Sequence, residues 1–390
     1  MDLYCDAMKS ILLINWYANR SGGADSYTHD LALRLAGRGH RVSVACIAAT
    51  PELADCVQLL PLRRPESVRY PLIWRFEALV QRASVAYQMA WLPAVRPDIV
   101  LNSLPFAAGP LRERFPSASH IYFPHALISP VEVAGYQSGL AARLAFALYS
   151  QAERRAILRS ATTVRFTDHN CTVLQQFYRL PKSSRFAIVP SAVAVPEIHQ
   201  LTPSRNVVRL LFVGRLVASK NVGFLIESLA ELTALPWILN VVGDGPERAA
   251  LERLAFERGL AGRVLFHGHQ PDPSEFYASA DLFAFPSLLE NLGLVMLEAM
   301  AHGVPVLGFL NDGVRFRNSS HELIQNDVDG ILVPDDTAFR AALARWISDP
   351  APLAALGANA RVRVLERHSW PVVLDRWEAL FDRLHGQPRQ

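Results

Sequence analysis

What most constrains this chain is the order in which short apolar runs alternate with amphipathic segments. SILLIN, from Ser10, is followed by a helical pattern from about Ala24 to Ala36, then by HRVSVACIA and later by DIVLN. Between the first helix and the next run, GRGH supplies the glycine that ends a helix. Strand, helix and strand in this order predict parallel pairing with helical crossovers, a doubly wound α/β sheet.

The pattern then restarts. VPSAVAVPEIHQLTPSRN is polar, proline-bearing and weakly periodic, and reads as a linker near residues 195 to 207. Beyond it come RLLFVG, a helix near Val222 to Leu232, WILNVVG, a helix near Glu247 to Arg258, RVLFHG, ADLFAF, a helix carrying Glu298, and VPVLGF. The expected organisation is a Rossmann-like domain over 1–197, a second over 205–368, and a tail over 369–390. In the tail, Val373, Trp377, Leu380 and Phe381 recur at helical intervals, which predicts a last helix packing back on the first domain. A length of 390 residues suits two such domains. The sheets are expected to face each other across a central cleft, with ligands at the carboxyl ends of strands. Chemistry is therefore sought in the loops that follow strands.

Composition closes off several classes. With 51% apolar and 19% charged residues, the chain belongs with packed proteins and not with disordered ones. A formal net charge of +3 argues against a nucleic-acid binder that works by bulk attraction. Cys5, Cys46, Cys56 and Cys171 stand apart with no CxxC spacing, which indicates neither a disulfide framework nor a zinc site and fits a reducing cytoplasm. The run Ile11 to Ile14 is too short for a signal peptide or a membrane span, so the expected membrane contact is peripheral at most.

FAFPSLLENLGLVMLEAMAHGVPVLG, residues 283–308, sets two glutamates in a markedly apolar segment. Glu290 falls in the loop at a strand's carboxyl end, and Glu298 lies about one turn into a helix from about Leu294 to Ala301. That helix's N-terminal amides favour an anion, and Gly293 lets it come close to the backbone. Acids beside an anion repel it unless they address other parts of the ligand, and a carboxylate is a good acceptor for neighbouring hydroxyls. A ligand with diphosphate, ribose and sugar in sequence meets both needs.

In LLFVGRLVASKNVGFLIESL a strand ends at Val213, Gly214 turns the chain, and Arg215 and Lys220 precede the next helix with Asn221. A planar guanidinium and a compact ammonium in one post-strand loop match a diphosphate. VVGDGPERAALERLA resembles a dinucleotide fingerprint through Gly243 and Gly245. However, Arg248 holds the third glycine position and RVLFHG does not end in an acid, so Asp244 and Pro246 are read as a tight turn. In the first domain, Gly22 and Gly23 directly precede a helix, either as a plain turn or as a loop presenting amides to a phosphate or sugar. His125 follows the strand-like IYF, and NDVDG near Asp327 reads as a turn and not as a metal motif.

Together these residues resemble a bacterial GT-B glycosyltransferase of the large retaining class called glycosyltransferase family 4. The resemblance covers nearly the whole chain: GG before the first helix, the histidine after IYF, GRL followed by KN, GDGPE, and the glutamates of PSLLENLGLVMLEAMAHGVPV. It implies that Arg215 and Lys220 hold the donor diphosphate with Gly214 at the turn, and that Glu298 binds the nucleotide ribose. It further implies that Glu290, with the amides of Asn291, Leu292, Gly293 and Leu294, engages the donor sugar and phosphate. Gly22 and Gly23 would approach the diphosphate, His125 would lie by the transferred sugar, and His269 and Gln270 would face the base. No metal and no resident cofactor are implied; the nucleotide sugar is a co-substrate. Asn291 and Leu292 replace a glycine and an aromatic residue common in the family, and NDGVRFRNSSHELI is longer than its usual glycine-rich loop.

The acceptor expected from the resemblance is a glycan or a lipid-linked sugar, in surface polysaccharide or lipopolysaccharide assembly. The stretch from Arg63 to Trp91, with Arg64, Arg69, Arg75 and Arg82 among Trp74 and Phe76, fits either a peripheral membrane contact or the solvated side of a packed helix. A GT-B epimerase or phosphorylase and a catalytically silent nucleotide-sugar-binding protein are the rival readings.

Overall fold

The computed structural model describes residues 8–19, 23–63, 87–89, 91–124, 140–197, 207–290 and 292–385. The chain divides into two compact units, one of Met1–Val189 with Leu374–Gln390 and the other of Pro190–Val373.

The strands of the first unit are β1 (Ser10–Ile14), β2 (Tyr17–Ala18), β3 (Arg41–Cys46), β4 (Ala48–Ala49), β5 (Gln58–Pro61), β6 (Ile99–Asn102), β7 (Ser119–Tyr122), β8 (Thr162–Arg165) and β9 (Phe186–Ile188). Among the described residues, β5-β3-β1-β6-β7-β8-β9 form one sheet in that order, and β2 pairs with β4 beside it. Each pairing in the large sheet is parallel. Ile11, Leu12, Leu13 and Ile14 are all buried, as a strand covered on both faces requires. The helix Gly23–Gly37 carries the chain from β1 to β3.

In the second unit the strands are β10 (Val208–Val213), β11 (Trp237–Val242), β12 (Val264–Gly268), β13 (Leu282–Phe285), β14 (Val306–Phe309) and β15 (Ile331–Val333). They run parallel in the order β12-β11-β10-β13-β14-β15. The sequence of strands grows in one direction from β10, then resumes on its other side at β13, which is the doubly wound Rossmann arrangement. Helices Val222–Ala230, Arg248–Glu257 and Leu294–Ala301 lie between successive strands, and Asp336–Ser348 follows β15. Leu225, Leu251, Phe339 and Leu343 from these helices meet Leu210, Phe212, Val241 and Phe309 of the sheet in one apolar core.

Two boundaries differ from the sequence expectation. The first unit stops at Val189 and not at residue 197, because the next residues are tied to the second unit. His368 Nδ1 donates to Ser191 O at 2.9 Å, the Val193 amide to His368 O at 2.9 Å, and Arg361 Nη2 to Pro196 O at 2.6 Å. The helix Trp370–His385 also starts in the second unit, and its residues from Leu374 on belong to the first. There Trp377 Nε1 donates to Tyr27 Oη at 3.2 Å, and the indole meets Phe123 edge-on at 5.1 Å. Asp382 pairs with Lys9, and Arg38 with Asp375 at 2.9 Å and Glu378 at 3.1 Å.

His125, Gly22, Asn291 and the basic positions Arg64, Arg69, Arg75 and Arg82 lie outside the described residues. Among the described residues no helix is long and apolar enough to cross a membrane.

Trp377 is fully buried against three aromatic side chains of the first unit's cluster, directly or through Tyr27 and Phe123 to Phe166. Trp377→Ala is therefore expected to lower stability by about 3–5 kcal/mol. Denaturant unfolding checks this; a loss below about 1 kcal/mol would show that the helix does not form part of the cooperative core.

Candidate functional site

The reversal of strand order in the second unit lies between β10 and β13, and the loops leaving these two strands diverge there. After β10 the chain passes through Gly214 and Arg215 into a single helical turn, Ala218–Lys220, then through Asn221 in the left-handed conformation (φ 56°) into the helix Val222–Ala230. Asparagine tolerates that conformation better than most side chains. After β13 the chain runs through Pro286 to Glu290.

These loops are fastened to one another. The Leu288 amide donates to Ser219 O at 2.8 Å. On its other side the 288–290 segment exchanges two bonds with Arg317, from the Arg317 amide to Leu288 O at 2.8 Å and from the Glu290 amide to Arg317 O at 2.9 Å. The long loop after β14 is held in turn by Asp312, whose carboxylate accepts the amides of Val314, Arg315 and Phe316 at 2.8, 2.9 and 2.8 Å. Lys220 and Glu290, from different loops, consequently meet as an ion pair, each side chain 19% exposed.

Gly293 ends this stretch at φ 75° and starts the helix Leu294–Ala301. A Cβ there would come within 2.6 Å of Met296 Cε and 3.3 Å of Glu290 Cγ, so glycine is needed both for the turn and for the Glu290 side chain beside it. No described side chain caps the helix, which leaves its first amides available to an anion. Leu292 is buried and serves packing.

Glu298 lies further along the same helix, half-buried, and accepts a hydrogen bond from Tyr277 Oη at 2.8 Å. Burial pushes its carboxyl above the usual range, with Asp272 adding to the shift, while the Tyr277 bond works the other way. Tyr277 is itself buried and stacks on His302 at 5.1 Å, and burial together with Glu298 drives its phenol well above its ordinary value. Tyr277 had no signal in the sequence, because its partner lies on another element.

Arg215 is exposed, and its side chain makes no ion pair or hydrogen bond among the described residues. Gly214 donates its amide to Val242 O at 3.0 Å. His269 is exposed near Asp244, and Gln270 Nε2 donates to His267 O at 2.9 Å within its own loop. The fingerprint-like glycines serve close packing: a Cβ at Gly243 would lie 1.9 Å from Gly214 O, and one at Gly245 2.3 Å from Leu216 O. Asp244 accepts from the Gly245 amide at 2.7 Å and from Arg248 at 3.1 Å. Asp329 pairs with Arg363 and accepts the Gln325 amide at 2.7 Å, so NDVDG forms a turn. Among the described residues no group of three or more His, Cys, Asp or Glu side chains is assembled for a metal ion.

In the first unit, Gly23 opens the helix Gly23–Gly37, which follows β1 at that sheet's own point of strand-order reversal, between β1 and β6.

Two family profiles match the chain. The one described as Glycosyltransferase Family 4 covers residues 21–195, and the one described as Glycosyl transferases group 1 covers residues 197–363. The GDP-mannose-dependent alpha-mannosyltransferase of Corynebacterium glutamicum is 30% identical over 337 residues, which is 82% of this chain and 73% of that protein. The lipopolysaccharide core biosynthesis glycosyltransferase LpsE of Rhizobium meliloti is 30% identical over 201 residues, 51% of this chain and 56% of that protein. With LpsE and LpsD of that organism, the match spans about half the relatives' own length, 56% and 48%. Sucrose-phosphate synthase from Thermosynechococcus elongatus shares the fold, with a TM-score of 0.76 at 20% identity over 96% of this chain and 99% of that one.

The raised carboxyl of Glu298 carries a stability consequence. Its folded-state pKa lies above the unfolded one, near 4.5, so the folded form binds the proton more tightly. That contribution is complete below the unfolded pKa and is lost as pH rises through the folded one. Glu298→Gln removes the loss. Relative to wild type the variant is expected to gain stability between about pH 4 and pH 7 in paired denaturant melts; a difference that stays constant or reverses contradicts the assignment.

Proposed function

The chain belongs to the glycosyl transferases group 1, glycosyltransferase family 4, and on that premise we propose that it is a retaining glycosyltransferase. It moves a sugar from a UDP- or GDP-linked donor to a hydroxyl of a glycan or lipid-linked acceptor, in bacterial surface polysaccharide or lipopolysaccharide assembly. The observation that carries the reading is the meeting of Lys220 and Glu290 where the loops after β10 and β13 diverge, beside the uncapped start of the Glu298 helix.

Transfer passes through an oxocarbenium-like state while negative charge builds on the leaving diphosphate. Arg215, Lys220 and the first amides of the helix Leu294–Ala301 stabilise that charge, filling the role a metal ion fills elsewhere. Glu298, held by Tyr277 at 2.8 Å, accepts from the ribose hydroxyls. Glu290 orients the sugar through its hydroxyls and does not act as a double-displacement nucleophile. Attack comes from the face the diphosphate leaves, and the departing phosphate oxygen takes the acceptor's proton. The activities named for two relatives support the substrate class, a GDP-mannose-dependent mannosyl transfer for one and lipopolysaccharide core biosynthesis for the other.

A thermal-shift screen over nucleoside diphosphates and their sugar conjugates identifies the donor. With that donor, Arg215→Ala and Lys220→Ala are expected to reduce turnover by on the order of 100-fold or more each; unchanged transfer rates in both would remove the clamp. Glu298→Gln is expected to weaken nucleoside diphosphate binding in calorimetry, and unaltered affinity would contradict its ribose role.

A further inference from the structure

We propose that Tyr277 is a positioning residue for donor binding: its phenol engages one carboxylate oxygen of Glu298, so that the other oxygen is already aimed when the nucleotide ribose arrives. The inference deepens the donor reading given above and rests on it.

Glu298 is the one charged residue of the helix Leu294–Ala301, and its neighbours Leu297, Ala299 and Met300 are fully buried. An acid in such surroundings costs folding energy that an apolar side chain of similar size does not. Packing alone therefore gives no reason for it. The same holds for the partner it finds, which comes from a different element.

Three contacts fix the pair. Tyr277 Oη donates to Glu298 Oε2 at 2.8 Å. The tyrosine ring, 1% exposed, lies stacked on His302 at 5.1 Å and tilted against Phe283 at 5.9 Å. His302 in turn closes the Glu298 helix, with Nδ1 donating to Glu298 O at 2.8 Å. One imidazole thus braces both the phenol ring and the glutamate's own backbone. Burial and the adjacent carboxylate drive the phenol well above its ordinary value, so it stays the donor, and its bond opposes the upward push of burial and Asp272 on Glu298. Glu298 Oε1, by contrast, has no partner among the described residues.

Ordering a long side chain when a ligand binds costs affinity. Tyr277 settles part of that ordering when the chain folds. An ionised carboxylate only accepts, so the group that meets Oε1 must bring the proton, and ribose hydroxyls do. Tyr277 is buried and acts through Glu298, not by touching the nucleotide. Its helix, Ser274–Ser279, follows the loop of His269 and Gln270, and Asp272 pins the helix start by accepting the Ser274 amide at 3.0 Å. The segment that the donor reading gives to the base therefore also sets the acid that it gives to the ribose.

Calorimetry on the full chain with UDP, GDP and their 2′,3′-dideoxy counterparts tests this. Wild type is expected to bind the ribonucleotide more tightly than its dideoxy form. Tyr277→Phe keeps the ring and its stack and removes the hydroxyl; it is expected to lower that preference at least about threefold, with affinity for the dideoxy ligand unchanged. In a Glu298→Ala background the same substitution is expected to add nothing, because there is no carboxylate left to aim. Should Tyr277→Phe fail to fold, His302→Gln, which withdraws the stacking surface, is expected to lower the preference in the same selective way. Equal losses for ribose and dideoxy ligands mark the tyrosine as structural and overturn the proposal, as does an undiminished loss in the Glu298→Ala background. A preference that collapses in Glu298→Ala but stays at the wild-type value in Tyr277→Phe leaves the ribose role standing and removes the positioning role alone. A wild-type preference in Glu298→Ala, or a wild type that binds neither nucleotide, removes the donor reading itself.

Discussion

Backbone crowding at the carboxyl ends of β10 and β11 decides where the rest of the second unit's working parts can go. The Gly214 amide bonds to Val242 O, the Leu216 amide to Asp244 O, the Gly243 amide to Gly268 O and the Glu247 amide to Leu216 O, at 3.0, 2.9, 2.8 and 3.1 Å. Such approaches are possible only because Gly243 and Gly245 lack a Cβ. With one side of β10 closed by this mesh, the loop carrying Lys220 has the opposite side left, where β13 delivers Glu290. The same reversal of winding that every open α/β sheet must contain somewhere thus becomes the place where a cation and an acid are brought together.

Much of this was legible because buried parallel strands are nearly continuous apolar runs. SILLI, RLLFV and LFAF stand out from the amphipathic helices around them, and their ends mark where loops begin. The placement of Arg215, Lys220 and Glu290 in loops that follow strands is legible in the sequence for that reason. Pairings between elements are not. Nothing near Tyr277 points to Glu298, and nothing in the polar stretch after Val189 shows that Ser191 and Pro196 are bonded to His368 and Arg361. A linker has a composition, whereas a unit's edge is set by which hydrogen bonds cross it.

The GDGPE segment illustrates how one pattern serves two purposes in different proteins. Its resemblance to a dinucleotide fingerprint is real at Gly243 and Gly245, yet those glycines here accommodate neighbouring backbone, and Asp244 and Arg248 bind one another at the start of the following helix. Gly293 answers a different demand, since its left-handed turn and missing Cβ shape the approach to a helix start and to an acidic side chain. Glycines in post-strand loops therefore cannot be assigned to ligand contact until their own neighbours are known.

The helix Trp370–His385 gives the polypeptide a second passage between its two halves, since its first turn belongs with one and Trp377, Leu380 and Phe381 fill the interior of the other. A hybrid enzyme made by joining the front of this protein to the back of a relative at a single seam would receive foreign side chains against Tyr27 and Phe123. Recombination that keeps the interior native needs two seams, with the closing segment from Leu374 onward inherited from the same parent as the beginning.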